Sequence, residues 1–122
     1  MKKASEEYSI LYDYYGQLLS LRQREVFELY YEENLSLSEI AENIGVSRQA
    51  VHITLAKANC ELEGFEERLE LIRKSTACEK ILEEASMKID AILKDKERMA
   101  GINAETAKDL RRIKKLIKEL EV

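Results

Sequence analysis

The sequence predicts an all-α protein, with a helix-turn-helix domain over residues 1–74 and an antiparallel helical hairpin over residues 75–122. Two observations predict this fold class. The 122 residues include no proline, only four glycines and 36% charged side chains, a composition that favours helices over strands and long loops. Apolar residues also recur three and four positions apart along most of the chain, which is the period of an amphipathic helix.

The most informative stretch is residues 36–59, SLSEIAENIGVSRQAVHITLAKAN, whose pattern is typical of a helix-turn-helix. Ser36 and Glu39 make an S-x-x-E capping box that begins a first helix. Gly45 is predicted to end that helix in the left-handed conformation, which glycine adopts without a Cβ clash. Ser47 then caps a second helix. In this motif, the second helix is the one that enters a DNA major groove.

The second helix of the motif is predicted to have a buried face and an outward face. The buried face comprises Val51, Leu55, Ala58 and Leu62, and the outward face comprises Arg48, Gln49, His52, Ile53 and Ala56. Arg48 is suited to a guanine or a phosphate, Gln49 to an adenine, and His52 to a hydrogen bond at a base edge. Ser47 and Lys57 are expected to hold phosphates. The predicted partner is therefore DNA, and the alternative is a helix pair that only packs.

The charge distribution limits how tightly this motif can bind nucleic acid. The formal net charge is −4, which argues against loose, non-specific binding to a polyanion. Residues 47–60 nevertheless contain Arg48 and Lys57 and no acidic side chain, whereas residues 61–72 contain five glutamates against Arg68. With so few cationic contacts, a single copy is expected to bind weakly and with a shallow salt dependence.

Two helices are predicted before the motif. The first spans residues 5–19, and Gly16 within it is either tolerated or packed closely against a neighbour. Its apolar stripe consists of Tyr8, Leu11, Tyr15 and Leu18. An S-x-x-Q capping box at Ser20 begins the second helix. Arg22 and Arg24 lie near that helix start, where they either meet a phosphate or form solvated surface.

Two further helices are predicted after the motif. A cap at Ser75 or Thr76 begins the first, which runs to about Ala100, and a short turn from Gly101 to Asn103 leads to the last helix. Because this connection is short, the two helices should run antiparallel. Their apolar stripes must be buried either against the N-terminal domain or against a second copy. We favour a homodimer, because it presents two recognition helices about one DNA turn apart, ~34 Å.

Several kinds of function are disfavoured by what the sequence lacks. With one histidine and two well-separated cysteines, Cys60 and Cys78, it has no zinc-ligand spacing, and no phosphate loop or catalytic triad pattern occurs. The chain is therefore not predicted to be an enzyme or to bind a cofactor. No apolar run approaches the ~20 residues of a membrane span, and the N-terminal MKKASEEYSI lacks the apolar core of a signal peptide. A cytoplasmic location is predicted, with both cysteines as reduced, partly buried thiols.

The region around the motif resembles two groups of bacterial proteins. The stretch LLSLRQREVFELYYEENLSLSEIAENIGVSRQAVHITL is similar to the last DNA-binding region of sigma factors, which shares its Q-R-E-V and S-x-x-E-I-A-x-x-x-G-V-S-R segments. The longer span from LYDYYGQLLS to LEGFEERLELI is closer still to the YlxM family of small helix-turn-helix proteins. Genes of that family lie beside those of the signal recognition particle and its receptor. The resemblance covers about residues 8–74.

The resemblance implies a sigma-region-like helix-turn-helix and a regulatory role in the signal recognition particle pathway. The residues that match groove-reading positions of the sigma pattern are Ser47, Arg48, Gln49, His52 and Ile53. Sigma recognition helices usually carry more basic residues at the positions of His52, Ile53 and Thr54. This departure keeps a second hypothesis open, in which the fold is a protein- or RNA-binding module for the signal recognition particle or its receptor. Its contacts would use the acidic face at 61–70 or the basic face at 108–118.

Overall fold

The computed structural model describes residues 5–120, and that part of the chain contains seven α-helices and no strand. The helices are α1 (Ser5–Tyr15), α2 (Leu21–Phe27), α3 (Leu37–Ile44), α4 (Arg48–Leu69), α5 (Leu71–Lys94), α6 (Lys96–Ala100) and α7 (Ala104–Leu120). A 3-10 turn at Gly16–Leu18 follows α1, and a π-helical turn at Glu28–Glu32 follows α2. The predicted all-α class is therefore confirmed. The helices form two compact units that divide after Ile72.

The first helix is shorter than predicted, because it ends at Tyr15 and the chain tightens into the 3-10 turn. Gly16 allows this turn to approach α1 closely: a Cβ added there would lie 2.9 Å from a ring carbon of Tyr12. Close packing, one of the two predicted explanations of Gly16, is the correct one. The change of path also shifts the apolar face, so that Leu19 is buried while Leu18, predicted to belong to the stripe, is 58% exposed.

Helix α4 lies at the centre of the N-terminal unit and packs against α1, α2 and α3. The core consists of Tyr15, Leu19, Val26, Phe27, Ile40, Ala41, Val51, Leu55, Ala58 and Leu62. All four residues of the predicted buried face of α4 belong to this core, so that prediction is confirmed. The helix is continuous for 22 residues, so it extends ten residues beyond Asn59, the last residue of the predicted motif.

Tyrosine hydroxyls of α1 hydrogen-bond to glutamates in the second half of α4. The Tyr8 hydroxyl donates to the Glu63 carboxylate, and the Tyr15 hydroxyl donates to the Glu66 carboxylate. Charge-assisted hydrogen bonds of this kind are stronger than neutral ones. The acidic second half of α4 therefore holds α1 in place, in addition to contributing charge.

Tyr15 and Glu66 also hydrogen-bond to the backbone at the corner between α4 and α5. Glu70 adopts the left-handed conformation, with φ of 54°, and ends α4. The backbone N–H of Leu71 donates to the Tyr15 hydroxyl over 3.1 Å, and that of Ile72 donates to a Glu66 carboxylate oxygen over 3.0 Å. These contacts satisfy two of the amides that a helix start leaves without an intrahelical acceptor.

The predicted cap of α5 at Ser75 or Thr76 is wrong, because the helix begins at Leu71 and both residues lie inside it.

The prediction of one helix to about Ala100 is also wrong, because the segment is divided at Asp95. The Asp95 carboxylate accepts from the backbone N–H of Glu97 over 3.0 Å and thereby begins α6. The division of the chain into a helix-turn-helix domain over 1–74 and a bracing or dimerising hairpin over 75–122 stays a prediction.

Helices α5 and α7 of the C-terminal unit form a hairpin around Ile102. The Asn103 side chain accepts from the backbone N–H of Thr106 over 2.7 Å and so caps the start of α7. Asp90 and Lys114, which are equally far from Ile102 along the chain, form an ion pair. Because Asp90 and Lys114 meet across the turn at equal distances from it, the two helices run antiparallel. The hydrogen bond from Lys114 lowers the pKa of the Asp90 carboxyl.

The apolar stripes of the hairpin are only partly covered. Ala107 and Ile117 of α7 are buried, whereas Ile81 of α5 is 67% exposed. The exposed large apolar side chains of α7 are Ile113, Leu116 and Leu120. The C-terminal unit therefore presents apolar surface.

The tyrosine–glutamate contacts predict a loss of stability at alkaline pH. The hydrogen bond to Glu63 raises the pKa of Tyr8 to about 12, and burial together with Glu28 raises the pKa of Tyr12 to about 12. Since an unfolded tyrosine titrates near pH 10, the stabilisation is present in full below that pH and is lost as the pH rises towards 12. We expect the unfolding free energy, measured by urea denaturation, to fall across this interval.

A Tyr8→Phe variant separates this effect from the titration of the lysines, which it leaves unchanged. Its unfolding free energy should fall less steeply between pH 10 and pH 12 than that of the unsubstituted protein. Equal slopes for the two proteins would show that the Tyr8 hydroxyl does not contribute.

Candidate nucleic-acid interface

The helix-turn-helix is built by local hydrogen bonds that the sequence predicts. The Ser36 side chain accepts from the Glu39 backbone N–H over 3.1 Å, and the Glu39 carboxylate accepts from the Ser36 backbone N–H over 3.0 Å. The backbone N–H and then the side chain of Ser36 lower the pKa of the Glu39 carboxyl. Gly45 ends α3 with φ of 73°, and its N–H donates to Ala41 over 2.9 Å. The capping box and the left-handed glycine are both confirmed.

Ser47 begins α4 at the tip of the motif. Its side-chain oxygen accepts from the Ala50 backbone N–H over 3.0 Å. A serine hydroxyl has one donor and two acceptor lone pairs, so the O–H remains able to donate to a phosphate while the oxygen caps the helix. The predicted cap is confirmed, and it is compatible with the predicted phosphate contact.

The predicted reading residues lie together on one exposed face of α4. This face comprises Arg48, Gln49, His52, Ile53, Ala56 and Lys57, all of them exposed. Val51 and Leu55, which alternate with them in the sequence, are buried on the opposite side. We call this exposed set the outward face of α4. It projects away from the core, as a groove-entering surface must.

A cleft of about 460 Å³ separates this face from the start of α2. It is lined by Ser20, Arg22, Gln23, Ile53, Thr54, Lys57 and Glu61. The buried Gln23 amide donates to the Glu61 carboxylate over 2.9 Å and so fixes the start of α2 against α4. This contact brings Arg22 beside the outward face, although the two segments are far apart in the sequence.

Arg22 is available to a ligand because its partner is easily exchanged. It forms an ion pair with Glu25 over 3.2 Å, in which both side chains are about half exposed. Exposed pairs of this kind contribute only ~0–1 kcal/mol. An incoming phosphate can therefore compete with Glu25 for the guanidinium.

Arg24, the second arginine predicted near the start of α2, lies elsewhere. Its guanidinium hydrogen-bonds to the Tyr12 hydroxyl and lowers the pKa of Tyr12, opposing the larger effects of burial and of Glu28. Arg24 is also absent from the lining of the cleft. The structure thus brings Arg22 to the outward face and places Arg24 on the α1 side of α2.

The sequence did not reveal that Gln23, Thr54 and Glu61 contribute to the cleft. The capping box at Ser20 shows where α2 begins, but it carries no information about which part of α4 lies opposite. The prediction of partly buried cysteines is wrong, because Cys60 and Cys78 are both exposed. Among residues 5–120, no group of histidine, cysteine, aspartate and glutamate side chains is arranged to hold a metal ion. No helix within the described residues is long and apolar enough to cross a membrane.

The comparison with known families decides what kind of helix-turn-helix this is. The family described as "Putative helix-turn-helix protein, YlxM / p13 like", UPF0122, matches residues 2–121. This chain belongs to the UPF0122 family. The family match confirms the resemblance to the YlxM family and extends it beyond residues 8–74 to almost the whole chain.

UPF0122 relatives cover most of this chain. A UPF0122 protein of Thermoanaerobacter sp. (strain X514) is 39% identical over 114 residues, which is 93% of either chain. A UPF0122 protein of Acetivibrio thermocellus is 35% identical over 116 residues, again 93% of either chain. One from Desulforamulus reducens is 47% identical over 88 residues, covering 72% of this chain and 75% of its own. The α5–α7 region is therefore a shared part of UPF0122 proteins.

Proposed function

We propose that this protein binds double-stranded DNA and reads its sequence in the major groove through the outward face of α4. Arg48, Gln49 and His52 contact bases, and Ser47 and Lys57 hold phosphates on either side. The proposal rests on the first half of α4, which is exposed on its outward side and contains no acidic side chain. The helix-turn-helix that presents it has its Ser36 and Ser47 caps and its Gly45 turn in place. Its role is regulatory binding rather than catalysis.

Arg22 adds a phosphate contact from across the cleft. It lines the same cleft as Lys57, so the two cations can hold neighbouring phosphates of one backbone. Glu61 also lines this cleft, but its carboxylate accepts the Gln23 hydrogen bond. This internal bond occupies part of the acidic side chain that lines the cleft. Arg24, predicted with Arg22, is a weaker candidate because it lies on the α1 side of α2.

We further propose that the DNA-binding form is a homodimer. One outward face with Arg22 offers few cationic contacts, and affinity for DNA depends strongly on their number. The exposed Ile113, Leu116 and Leu120 of α7 supply apolar surface that a second copy can cover. A two-fold pair of recognition helices would then engage half-sites about one DNA turn apart, ~34 Å.

Selection of bound fragments from random DNA, followed by affinity measurements at several salt concentrations, tests this function. Arg22 and Lys57 are the two cationic phosphate contacts of each copy. We therefore expect the logarithm of the affinity to fall against the logarithm of the salt concentration with a slope of about −2 for one copy, or about −4 for a dimer. Failure to enrich any sequence, at a salt concentration low enough for binding, would contradict the proposal.

A second candidate function is favoured by the basic face of α7. Lys108, Arg111, Arg112, Lys115 and Lys118 are all exposed on this helix, and they suit an RNA or an acidic protein. The acidic face at 61–70 suits this role less, because Glu61, Glu63 and Glu66 accept internal hydrogen bonds. In this alternative the protein contacts the signal recognition particle or its receptor. A regulatory role in that pathway would act through the same contact.

Capture of partners from a cell lysate, with and without nuclease, separates the two functions. Loss of the captured material after DNase treatment supports DNA, loss after RNase supports the particle RNA, and retention after both supports a protein. We propose a cytoplasmic location, because a reducing compartment keeps exposed cysteines such as Cys60 and Cys78 as free thiols.

A further inference from the structure

Ile53 is an apolar side chain in the middle of a polar reading face. It is 57% exposed, and it belongs neither to the core of the N-terminal unit nor to the apolar side chains packed around it. A β-branched residue is also a poorer helix former than lysine, glutamine or alanine. Neither packing nor helix stability therefore accounts for isoleucine at this position.

The side chains around Ile53 indicate the chemistry of a ligand that would cover it. Gln49 lies one turn before it on the same face, Lys57 lies one turn after it, and Arg22 lines the same cleft. An occupant must therefore place an apolar group next to hydrogen-bonding groups and within reach of negative charge. The major groove of DNA meets all of these requirements, because the 5-methyl group of thymine lies among base-edge donors and acceptors, between two rows of phosphates.

We propose that Ile53 contacts the 5-methyl group of a thymine and makes a thymine at one position part of the recognised sequence. The inference rests on the proposed DNA-binding function and specifies one element of the target. An isoleucine cannot pair with the amino group that cytosine presents at the same edge, so cytosine is disfavoured. RNA lacks the methyl group, and its major groove is too deep and narrow for side chains to read.

The geometry of α4 also sets where this thymine lies. Gln49 and Ile53 are four residues apart, which is about 6 Å along a helix axis at 1.5 Å per residue. Successive base pairs are about 3.4 Å apart. The thymine should therefore lie within about two or three base pairs of the base that Gln49 contacts.

Replacement of thymine by deoxyuridine removes only the methyl group and so tests the contact directly. The probe is a fluorescently labelled duplex of the sequence selected by this protein, with each thymine replaced in turn, and binding is measured by anisotropy at fixed salt. One replacement in each half-site should weaken binding about fourfold, which corresponds to the ~0.8 kcal/mol of one buried methyl-sized group. Replacements elsewhere should have little effect.

Two variants identify Ile53 as the residue responsible. With Ile53→Ala, the sensitive position should bind equally well with thymine or deoxyuridine. With Lys57→Ala, binding should weaken for both probes while the fourfold ratio remains. If no position is sensitive, or if the ratio persists in the Ile53→Ala protein, the inference is overturned although DNA binding stands. If no DNA is selected at all, the proposed function itself is overturned.

Discussion

Replacement of Phe27 by alanine is expected to lower the unfolding free energy by about 3–5 kcal/mol. The Phe27 side chain is only 1% exposed. Its ring stacks on that of Tyr12, with centroids 4.3 Å apart, and lies 4.5 Å from that of Tyr31. Removal of the ring leaves a cavity where α1, α2 and the π-helical turn meet. Urea denaturation followed by circular dichroism measures the change.

Leu21→Ala provides a matched control for the Phe27 variant. Leu21 is the first residue of α2 but is 79% exposed, and substitutions at such sites usually change stability by less than about 0.5 kcal/mol. Domains of this size are commonly stable by only 5–15 kcal/mol, so the Phe27 variant should be partly unfolded at modest urea concentrations. Equal stabilities for the two variants would contradict the position assigned to Phe27.

Simultaneous replacement of Arg48 and Gln49 by alanine should weaken binding to the selected DNA by about 2–6 kcal/mol. The estimate takes about 1–3 kcal/mol for each base contact and assumes that the two add. Because both side chains are exposed, the melting temperature should change little. Anisotropy measures the binding, and thermal circular dichroism measures the folding.

Single lysine variants show whether the lost affinity belongs to this face. Lys57→Ala should weaken binding about equally for all sequences and reduce the salt slope by about one. Lys115→Ala, on α7, should leave DNA binding unchanged. The opposite result, with binding lost in the Lys115 variant and kept in the double variant, would favour the basic face of α7 and the alternative function.

The features that the sequence predicted well are those that neighbouring residues determine. The capping boxes at Ser20 and Ser36 join residues three positions apart, and Gly45 ends α3 by its own backbone conformation. The buried face of α4 follows from the helical period alone. Each of these features depends on short-range geometry, which a linear pattern contains. The outward face of α4 was predicted as the remainder of that same pattern.

The features that the sequence did not predict depend on residues distant in the chain. Tyr15 and Glu66, 51 positions apart, begin α5 four residues before Ser75. The different positions of Arg22 and Arg24 depend on the Gln23–Glu61 contact, which spans 38 positions. Helical periodicity indicates that a face is buried, but it does not say which neighbour covers it.

The continuity of α4 has a consequence for how this protein can change during evolution. The helix is about 33 Å long at 1.5 Å per residue, and its 22 residues divide two tasks between its ends. The outward side chains of the first half contribute little to folding, whereas the second half is fixed by its contacts with Tyr8, Tyr15 and Gln23. Exchanges at Gln49 or Ile53 can therefore alter the preferred target without moving the protein towards its stability threshold. Selection for a new target and selection for the fold act on different residues of one helix.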